Sequence, residues 1–279
     1  MSVVLITGCS SGFGHHAALT FARQGHEVYA TVRTLEKAKT LVDTAADESL
    51  DLHVVRLDVR DVESVEAAVA EVHERAGRID VLVNNAGVEL RGPVEECSDD
   101  EVLVQFDTNV FGLLRVVRAV MPIMREQRGG VIVNVGSIAG LVSRPFAGLY
   151  SASKHAVEAI TEAMHFECGL WGIRVAVVEP GQFETELANN ALVAARFDDD
   201  SPYRAVSDRF DVAVRTLAPD GKPAPPEVVA DAIVAVAEDD DAGLRHLVGA
   251  DAELIWSVRR AGDFEEYEQT MRAALDFWD

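Results

Sequence analysis

Val3-Val-Leu-Ile-Thr-Gly-Cys-Ser-Ser-Gly-Phe-Gly14 opens the sequence and decides the fold. Its first four residues are a β-branched, apolar run typical of a buried strand. Gly8, Gly12 and Gly14 follow in a Gly-x-x-x-Gly-x-Gly pattern, and helical periodicity then continues to Gln24. The stretch therefore predicts a strand, a tight glycine turn and a helix, in that order.

Short β-branched runs alternate with helical patterns along the rest of the chain. This alternation indicates β-α-β units with parallel strands, because each crossover helix returns the chain to the same end of the sheet. We therefore expect a single α/β domain over residues 1–279, built as a Rossmann-type doubly wound parallel sheet with helices on both faces. A helix is expected over residues 101–127, bent or ended early by Pro122. The sheet should have about seven strands, at residues 3–6, 27–32, 52–57, 79–83, 131–135, 173–178 and 244–248.

The glycine turn has the context of a dinucleotide site. Glycine lets the backbone turn tightly and approach a pyrophosphate, which then lies against the N-terminus of the following helix. Ser10 and Ser11 offer hydroxyl donors in the same turn. A turn that binds nothing would use the same glycines, but the strand-loop-helix context favours the dinucleotide.

The end of the second predicted strand bears on which dinucleotide binds. A fold selective for NAD usually has an Asp or Glu there, which bonds the ribose 2′-hydroxyl. Here the strand reads Tyr29-Ala-Thr-Val-Arg33, without a carboxylate, and a guanidinium suits a 2′-phosphate. We therefore expect NADP in preference to NAD, unless Arg33 is only a surface residue of the loop.

Two further strand ends are expected beside the cofactor. Asp58 ends the third strand, where its carboxylate either accepts a bond from an adenine amino group or caps the helix that starts near Asp61. Asn84-Asn-Ala-Gly87 follows the fourth strand. Ligands bind at the carboxyl ends of strands in such sheets, which favours a binding role for this segment.

Tyr150-Ser-Ala-Ser-Lys154, with Ser137 thirteen residues upstream of the tyrosine, carries the expected chemistry. Residues four apart share one face of a helix, so the ammonium should favour the phenolate and lower the pKa of Tyr150. When hydride reaches a carbonyl carbon, negative charge develops on the oxygen. Hydroxyls of Tyr150 and Ser137 would stabilise that oxygen, and the tyrosine would donate its proton. The motifs thus predict carbonyl–alcohol oxidoreduction.

Together these motifs resemble the short-chain dehydrogenase/reductase family, and most closely its hydroxysteroid- and retinol-dehydrogenase-like branch. The resemblance implies Tyr150 as general acid/base and Ser137 as the hydroxyl that positions the substrate oxygen. It implies that Lys154 lowers the pKa of the tyrosine and holds the nicotinamide ribose. It also implies that Asn109 maintains a water-linked proton path through a kinked helix.

The resemblance covers residues 3–185 and extends to the cofactor contacts. Thr185 matches the residue that bonds the nicotinamide carboxamide. The chain departs from the commonest family pattern at Gly136, where a second serine is frequent, and at Phe13, where a small aliphatic residue is more usual. The expected cofactor-binding residues are Gly8, Ser10, Ser11, Gly12, Phe13, Gly14, Arg33, Asp58, Val59, Asn85, Ala86, Gly87, Tyr150, Lys154, Pro180, Gly181 and Thr185.

The family resemblance also implies homodimers or homotetramers, formed through the helices around residues 101–127 and 149–170. Because a net charge of −22 opposes self-association at low salt, the charge weighs against this implication.

Largely apolar residues flank the catalytic set. Ligand pockets tend to be apolar, so a hydrophobic ketone, aldehyde or secondary alcohol fits better than a sugar or a charged acid. Residues 184–226 are expected to form a lid over the substrate, because an insertion of that length is usually functional. The substrate contacts are expected at Ser137, Leu141, Phe146, Tyr150, Phe183 and Leu187, with Val142 and Ser143 in the same wall.

Composition narrows the class of protein further. The chain has 47 acidic and 25 basic residues, and a surface this acidic repels nucleic acid and anionic membranes. No apolar run approaches the ~20 residues that span a bilayer. Three cysteines indicate a reducing compartment, and the eight histidines lack metal-ligand spacing. We therefore expect a cytoplasmic protein without a metal, a membrane span or a nucleic-acid partner.

Two rival functions remain open from the sequence. One is an alcohol dehydrogenase of the same family that prefers NAD. The other is a regulatory protein that binds NADP without catalysis, although such a protein would usually have lost Tyr150 or Lys154.

Overall fold

The computed structural model describes residues 1–185, 191–217 and 222–277. The strands are β1 (Val3–Ile6), β2 (Glu27–Val32), β3 (Leu52–Arg56), β4 (Val81–Asn84), β5 (Leu90–Arg91), β6 (Gly130–Val135), β7 (Ile173–Pro180), β8 (Leu192–Val193) and β9 (Arg245–Val248). The α-helices are α1 (Gly12–Arg23), α2 (Lys39–Asp47), α3 (Val62–Ala76), α4 (Asp99–Phe106), α5 (Leu113–Gln127), α6 (Gly148–Gly169), α7 (Arg204–Arg215), α8 (Glu227–Glu238), α9 (Ala250–Ala261) and α10 (Phe264–Leu275).

The main sheet has seven parallel strands in the order β3-β2-β1-β4-β6-β7-β9. The chain moves outward from β1 to β3 and then continues on the other side of β1, so the direction of winding reverses between β1 and β4. This confirms the doubly wound Rossmann-type sheet. The carboxyl ends of β1 and β4 therefore border the crevice where such sheets bind ligands.

Two apolar cores hold helices against the two faces of the sheet. Successive side chains of a strand point to opposite faces, so in β1 Val4 and Ile6 enter one core while Val3 and Leu5 enter the other. The first core also contains buried residues of α1, α2 and α8, and the second contains those of α3, α5 and α6. The expected layering of helices on both faces is thereby confirmed.

The helix predicted over residues 101–127 differs in three respects. It begins at Asp99, because Ser98 and Glu101 form a capping box. Residues Asp107–Gly112 form a π-helical stretch between α4 and α5. The helix then continues through Pro122 to Gln127, so the expectation of an early end there is wrong. Buried residues of α5 in the second core hold this helix in place despite the missing N–H bond of the proline.

The described chain after β7 forms one side of a cavity of ≈ 680 Å³. β8 pairs with β5 in a short parallel ribbon, and α7 follows it. After β9, α10 packs beside α7 and α9 packs against α10, and sequence analysis had assigned no element to this last segment. No helix among the described residues is long and apolar enough to cross a membrane.

Candidate active site

The glycine turn connects the carboxyl end of β1 to the start of α1. Gly8 and Gly12 adopt positive φ angles of 75° and 60°, which glycine reaches without steric cost. Ser11 precedes α1, and its hydroxyl makes no capping hydrogen bond. Ser10 is exposed. The backbone N–H groups of the first turn of α1 therefore remain available as donors, which fits the pyrophosphate of a dinucleotide.

Asn85 braces this turn from the neighbouring strand end. Its Nδ2 donates to the carbonyl oxygens of Thr7 and Gly8, each at 2.9 Å. The backbone N–H groups of Asn85 and Ala86 donate to Thr7 Oγ1 at 3.0 Å. The side chain of Asn85 therefore fixes the shape of the loop, and the segment that ends at Gly87 lies beside it.

Arg33 directly follows β2 and is exposed. Within the described ranges its guanidinium forms no ion pair, so it is available to an incoming phosphate. This is the position at which the sequence predicted the 2′-phosphate contact.

Asp58 does not cap α3. The cap is Asp61, whose carboxylate accepts a hydrogen bond from Ser64 N at 3.1 Å. Asp58 Oδ1 instead accepts from Arg60 N at 3.0 Å, in the turn before the helix. The alternative of a capping role for Asp58 is therefore wrong, because Asp61 is the residue that directly precedes the helix. Val59, beside Asp58, is buried.

The end of β7 approaches the glycine turn from the other side. Gly181 N donates to Val248 O at 2.9 Å, which fixes the chain directly after Pro180. A methyl group placed on Gly12 would lie 3.7 Å from Thr185 Cβ, so Thr185 is beside the turn. The rings of Phe13 and Phe183 meet edge to face with centroids 5.8 Å apart. The predicted cofactor-binding residues of the glycine turn and those that follow β7 thus lie together.

Tyr150 and Lys154 lie one turn apart on α6, and both are buried. Lys154 Nζ donates to Val135 O at 2.8 Å and lies 5.8 Å from the centroid of the Tyr150 ring. Ser137 follows β6, and its Oγ accepts from Ala139 N at 3.1 Å. β6 and α6 therefore bring together the serine, tyrosine and lysine that the sequence had singled out.

Burial sets the acidity of Tyr150. Loss of contact with water raises the pKa of the phenol, and the negative charge of Glu89 raises it further. The Ser137 hydroxyl and the Arg144 guanidinium oppose this shift without overcoming it. The expectation of a lowered pKa is therefore wrong for this arrangement, because the buried phenolate lacks the water that would stabilise it.

Lys154 is also affected by its burial. Desolvation lowers the pKa of its ammonium group to about 8, and the negative charge of Glu158 opposes that shift. The lysine therefore loses its charge near pH 8, well below the usual value for this side chain.

Asn109 connects the π-helical stretch to α6, the helix that carries Tyr150. Its Oδ1 accepts from Val88 N, and its Nδ2 donates to Val88 O, both at 2.9 Å. Nδ2 also lies 3.1 Å from Ser153 Oγ, and that hydroxyl donates to Tyr150 O at 2.7 Å. Asn109 is thus joined through Ser153 to the backbone of Tyr150, within a bulged part of the helix.

A cavity of ≈ 680 Å³ lies in front of the tyrosine and serine. Of the expected substrate contacts, Ser137, Leu141, Tyr150 and Phe183 line it, as do Val142 and Ser143 of the expected wall. Phe146 does not line it, because its ring packs against Phe197 and Phe210, with centroids at 6.5 and 5.9 Å. Leu187 lies outside the described residues.

The comparisons with known proteins agree with this geometry. The model of the short chain dehydrogenase family matches residues 2–194. The chain belongs to that family. The expectation drawn from the motifs is thereby confirmed, and relatives named as retinol and 17-beta-hydroxysteroid dehydrogenases place the chain near that branch.

Among curated relatives of this short-chain dehydrogenase, retinol dehydrogenase 8 of Bos taurus is 44% identical over 194 residues, covering 68% of this chain and 61% of that protein. For 17-beta-hydroxysteroid dehydrogenase type 1 of Homo sapiens the identity is 40% over 197 residues, covering 68% and 60%. For 3-ketodihydrosphingosine reductase of Bacteroides thetaiotaomicron it is 38% over 205 residues, covering 72% and 71%. The chain therefore spans less than two thirds of the retinol and steroid enzymes.

Two solved structures resemble this short-chain dehydrogenase over nearly its whole length. A short-chain dehydrogenase from Streptomyces avermitilis has a TM-score of 0.79 and 34% identity, covering 98% of both chains. A gluconate 5-dehydrogenase from Burkholderia cenocepacia, in complex with NADP and tartrate, has a TM-score of 0.77 and 29% identity, covering 91% of this chain and 95% of that chain.

Sequence analysis missed much of the cavity wall of this short-chain dehydrogenase. Part of the wall comes from α7, α9 and α10, which lie beyond the motifs. The apolar residues of α10 recur at helical spacing, a signal that could have predicted a buried face there. It could not have shown what that face encloses. The apolar contributions of these helices and the chain after them are Phe210, Val214, Leu217, Ile255, Phe264, Met271, Leu275 and Phe277.

A cluster of four charged side chains also lines the cavity, and the motifs gave no sign of it. Arg91 Nη2 lies 2.7 Å from Asp211 Oδ1. Arg144 Nη1 lies 3.5 Å from Glu89 Oε1, which is the carboxylate that raises the pKa of Tyr150. The cluster links the catalytic side of the cavity to α7. No group of three His, Cys, Asp or Glu side chains in the described part of the chain could hold a metal ion.

Proposed function

We propose that this protein transfers hydride between NADP(H) and the carbon of a carbonyl or secondary alcohol group. The substrate is apolar, and Tyr150 acts as the general acid/base. One observation carries the proposal: Tyr150 and Ser137 both line a largely apolar cavity that extends to Phe13 and Thr185 at the glycine turn. A substrate in the cavity would meet both hydroxyls beside the expected position of the cofactor.

The chain's own residues suit the reductive direction. Bound NADPH would supply the hydride to the carbonyl carbon. The hydroxyls of Ser137 and Tyr150 would hold the carbonyl oxygen as its negative charge develops. Tyr150 would then transfer its proton to that oxygen, which yields the alcohol and a phenolate. The ammonium of Lys154, 5.8 Å from the ring centroid, would offset the charge left on the phenolate.

Asn109 would support Tyr150 and Lys154 without contacting the substrate. Its contact with Ser153 places an amide beside the backbone of Tyr150, in a stretch where the helical hydrogen bonding is interrupted. In the family that the chain belongs to, the matching asparagine supports a water-linked proton path. We propose the same role here, which would return a proton to the phenolate after each reduction.

Arg33 supports the preference for NADP. It is exposed at the end of β2 and free of ion pairs within the described residues, and the sequence has no carboxylate there to bond a 2′-hydroxyl. The similar gluconate 5-dehydrogenase structure holds NADP. An NAD-preferring alcohol dehydrogenase is the alternative, and a comparison of turnover with the two cofactors separates them.

An apolar substrate is favoured by the walls of the cavity and by the kinds of alcohol for which the retinol and steroid relatives are named. We propose that residues 184–226 act as the lid. In support, α7 belongs to that segment and borders the cavity through Phe210 and Val214. A charged acid that outperformed apolar carbonyls in turnover would contradict this substrate class.

We further infer a homodimer or homotetramer in the cytoplasm. Several large apolar side chains on α4, on the π-helical stretch, and on or directly after α6 are exposed in the single chain, which supports association through these helices. They are Leu103, Phe111, Phe166 and Leu170. Sedimentation analysis of the wild type and of Phe166→Glu tests this, and a wild-type monomer at assay concentration would contradict it.

The decisive experiment measures NADPH oxidation with a panel of apolar ketones and aldehydes, in parallel with cofactor binding by calorimetry. Turnover by the wild type, lost in Tyr150→Phe while binding of NADPH persists, supports the proposal. Tight NADPH binding without turnover of any panel member favours the alternative of a non-catalytic regulatory protein.

A further inference from the structure

Two glutamates are buried behind the catalytic residues. Glu158 lies on α6, one turn after Lys154, and Glu179 lies near the end of β7. Glu179 is fully buried, and Glu158 is 5% exposed. Within the described part of the chain, Glu158 Oε1 and both carboxylate oxygens of Glu179 have no hydrogen-bond partner. Buried carboxylates without partners are strongly disfavoured, so this arrangement requires an explanation.

One arginine is shared among three carboxylates in this region. Arg245 Nε, on β9, lies 3.2 Å from Glu158 Oε2 and 3.7 Å from Glu179 Oε1. Its Nη2 lies 2.7 Å from Glu162 Oε2, on the exposed side of α6. Arg245 therefore cannot neutralise Glu158 and Glu179 if both are ionised, because Glu162 takes part of its charge.

The other described groups near the pair do not supply the positive charge that two ionised carboxylates would need. Glu253 and Arg260 of α9, which are opposite in charge, line a second cavity of ≈ 560 Å³ together with Glu179 and Arg245. Among the described residues Lys154 is the other cation that acts on Glu158, and its Nζ donates a hydrogen bond to Val135 O. Two full negative charges in this position would exceed the positive charge that faces them.

We propose that Glu179 is protonated and donates a hydrogen bond to ionised Glu158, and that the single negative charge of this pair keeps Lys154 protonated. The shared proton gives partners to oxygen atoms that otherwise have none. Glu158 is then a positioning residue that acts through Lys154. This consequence for catalysis rests on the proposed role of Lys154, whereas the protonation of the pair does not.

The packing around the two glutamates explains why residue 136 is a glycine. A methyl group placed on it would lie 2.9 Å from Glu158 Oε1 and 2.8 Å from Val177 Cγ2, closer than packed atoms allow. A serine at this position, which is frequent in the family, would displace the carboxylate. The glycine before Ser137 therefore provides the space that the pair occupies.

The acidities agree with this assignment. Burial, followed by the charge of Glu158, raises the pKa of Glu179 to about 8. Burial also raises the pKa of Glu158, but Arg245 and Lys154 oppose that shift. Burial lowers the pKa of Lys154 to about 8, and the Glu158 charge opposes it. Removal of that charge should therefore deprotonate the lysine at lower pH.

The proton itself is detected by infrared difference spectroscopy, which needs no turnover. The spectrum of Glu179→Gln is subtracted from that of the wild type at neutral pH, after circular dichroism has shown that both are folded. We expect a carboxylic acid C=O band in the wild type that disappears as the pH is raised through about 8. Glu167→Gln, which removes an exposed carboxylate of α6 away from Arg245, is the matched control and should keep the band. The absence of the band from the wild type would overturn the proposal.

The effect on Lys154 is measured from the pH profile of carbonyl reduction. Glu179→Gln keeps the neutral donor and should leave the alkaline limb of kcat in place. Adding Glu158→Gln to that variant removes only the negative charge of residue 158. This change should move the alkaline limb of kcat to lower pH by on the order of one unit. Glu167→Gln should not move it. If the double variant matches Glu179→Gln, the positioning role is wrong. If no variant shows turnover while the infrared band is present, only the proposed function fails.

Discussion

Lys154 Nζ lies 5.8 Å from the centroid of the Tyr150 ring while it donates to Val135 O. The strand that ends at Val135 thus fixes the ammonium beside the phenol. The two side chains share one face of α6, as their spacing predicts. The pair is nevertheless buried, and burial rather than the lysine governs the acidity of the tyrosine.

Tyr150→Phe should abolish carbonyl reduction. The variant keeps the ring and loses only the proton donor, so we expect kcat to fall by about 10²–10⁴-fold with little change in NADPH affinity. Stopped-flow turnover and calorimetric titration measure the two quantities. Tyr203→Phe is the matched control, because Tyr203 bonds Glu95 at the surface and should leave both values unchanged. Turnover by Tyr150→Phe at the wild-type rate would remove Tyr150 from the mechanism.

The two directions of the reaction should respond oppositely to pH. Because the pKa of Tyr150 is raised, the phenol is neutral at pH 7 and is ready to donate a proton in reduction. Reduction should decline as Lys154 loses its proton near pH 8, whereas alcohol oxidation, which needs the phenolate, should rise with pH. Initial rates in both directions between pH 6 and about 10 test this. Parallel profiles would contradict it.

Arg33→Ala should weaken binding of NADPH more than that of NADH. The guanidinium would bond the 2′-phosphate, which NADH lacks, so we expect KM for NADPH to rise by about 10-fold or more and KM for NADH to stay constant. The control is Arg23→Ala, which removes a surface arginine paired with Glu48. An unchanged ratio of the two KM values in Arg33→Ala would exclude Arg33 as the determinant.

Asp61→Ala and Asp58→Ala should separate stability from cofactor binding. Loss of the Asp61 cap should lower the free energy of unfolding, because Ser64 N would lose its hydrogen-bond acceptor. Among the described residues the carboxylate of Asp58 bonds only the backbone N–H of Arg60, so Asp58→Ala should change stability less and raise KM for the cofactor. Urea unfolding and initial rates measure these effects. Equal destabilisation by the two substitutions would contradict the assignment of Asp61 as the cap.

Phe183→Ala should raise KM for apolar substrates. The ring lines the cavity and packs on Phe13, so its removal should weaken binding of an apolar carbonyl by about 10–200-fold. Val228→Ala serves as the control, because Val228 is 45% exposed on α8 and lies outside the cavity lining. If small polar carbonyls lose as much affinity as large apolar ones, the effect is not on the apolar wall.

The sheet could be predicted from sequence because each strand is a short β-branched run bounded by turn residues. The strands at the candidate site were predicted for the same reason. The helix α6 was predicted instead from the spacing of Tyr150 and Lys154 downstream of Ser137. The π-helical stretch at Asn109 could not be found in this way, since one extra residue in a turn barely alters the hydrophobic period.

Other features depend on tertiary structure. Burial decides the acidity of Tyr150, and sequence spacing gives no measure of burial. The charged cluster of Glu89 and Arg144 joins residues 55 positions apart in the chain. The position of Phe146 was mispredicted, because nearness to the motif did not show that its ring turns toward Phe197.

The origin of the cavity wall has an evolutionary consequence. The family model ends at residue 194, whereas α7, α9 and α10 begin at Arg204, Ala250 and Phe264. Under the proposed function, substitutions in these helices would change which compound is accepted without altering the glycine turn or the strands that carry Ser137 and the cofactor contacts. The proposed chemistry would then be inherited with the first part of the chain, while part of the substrate choice could diverge independently in the second.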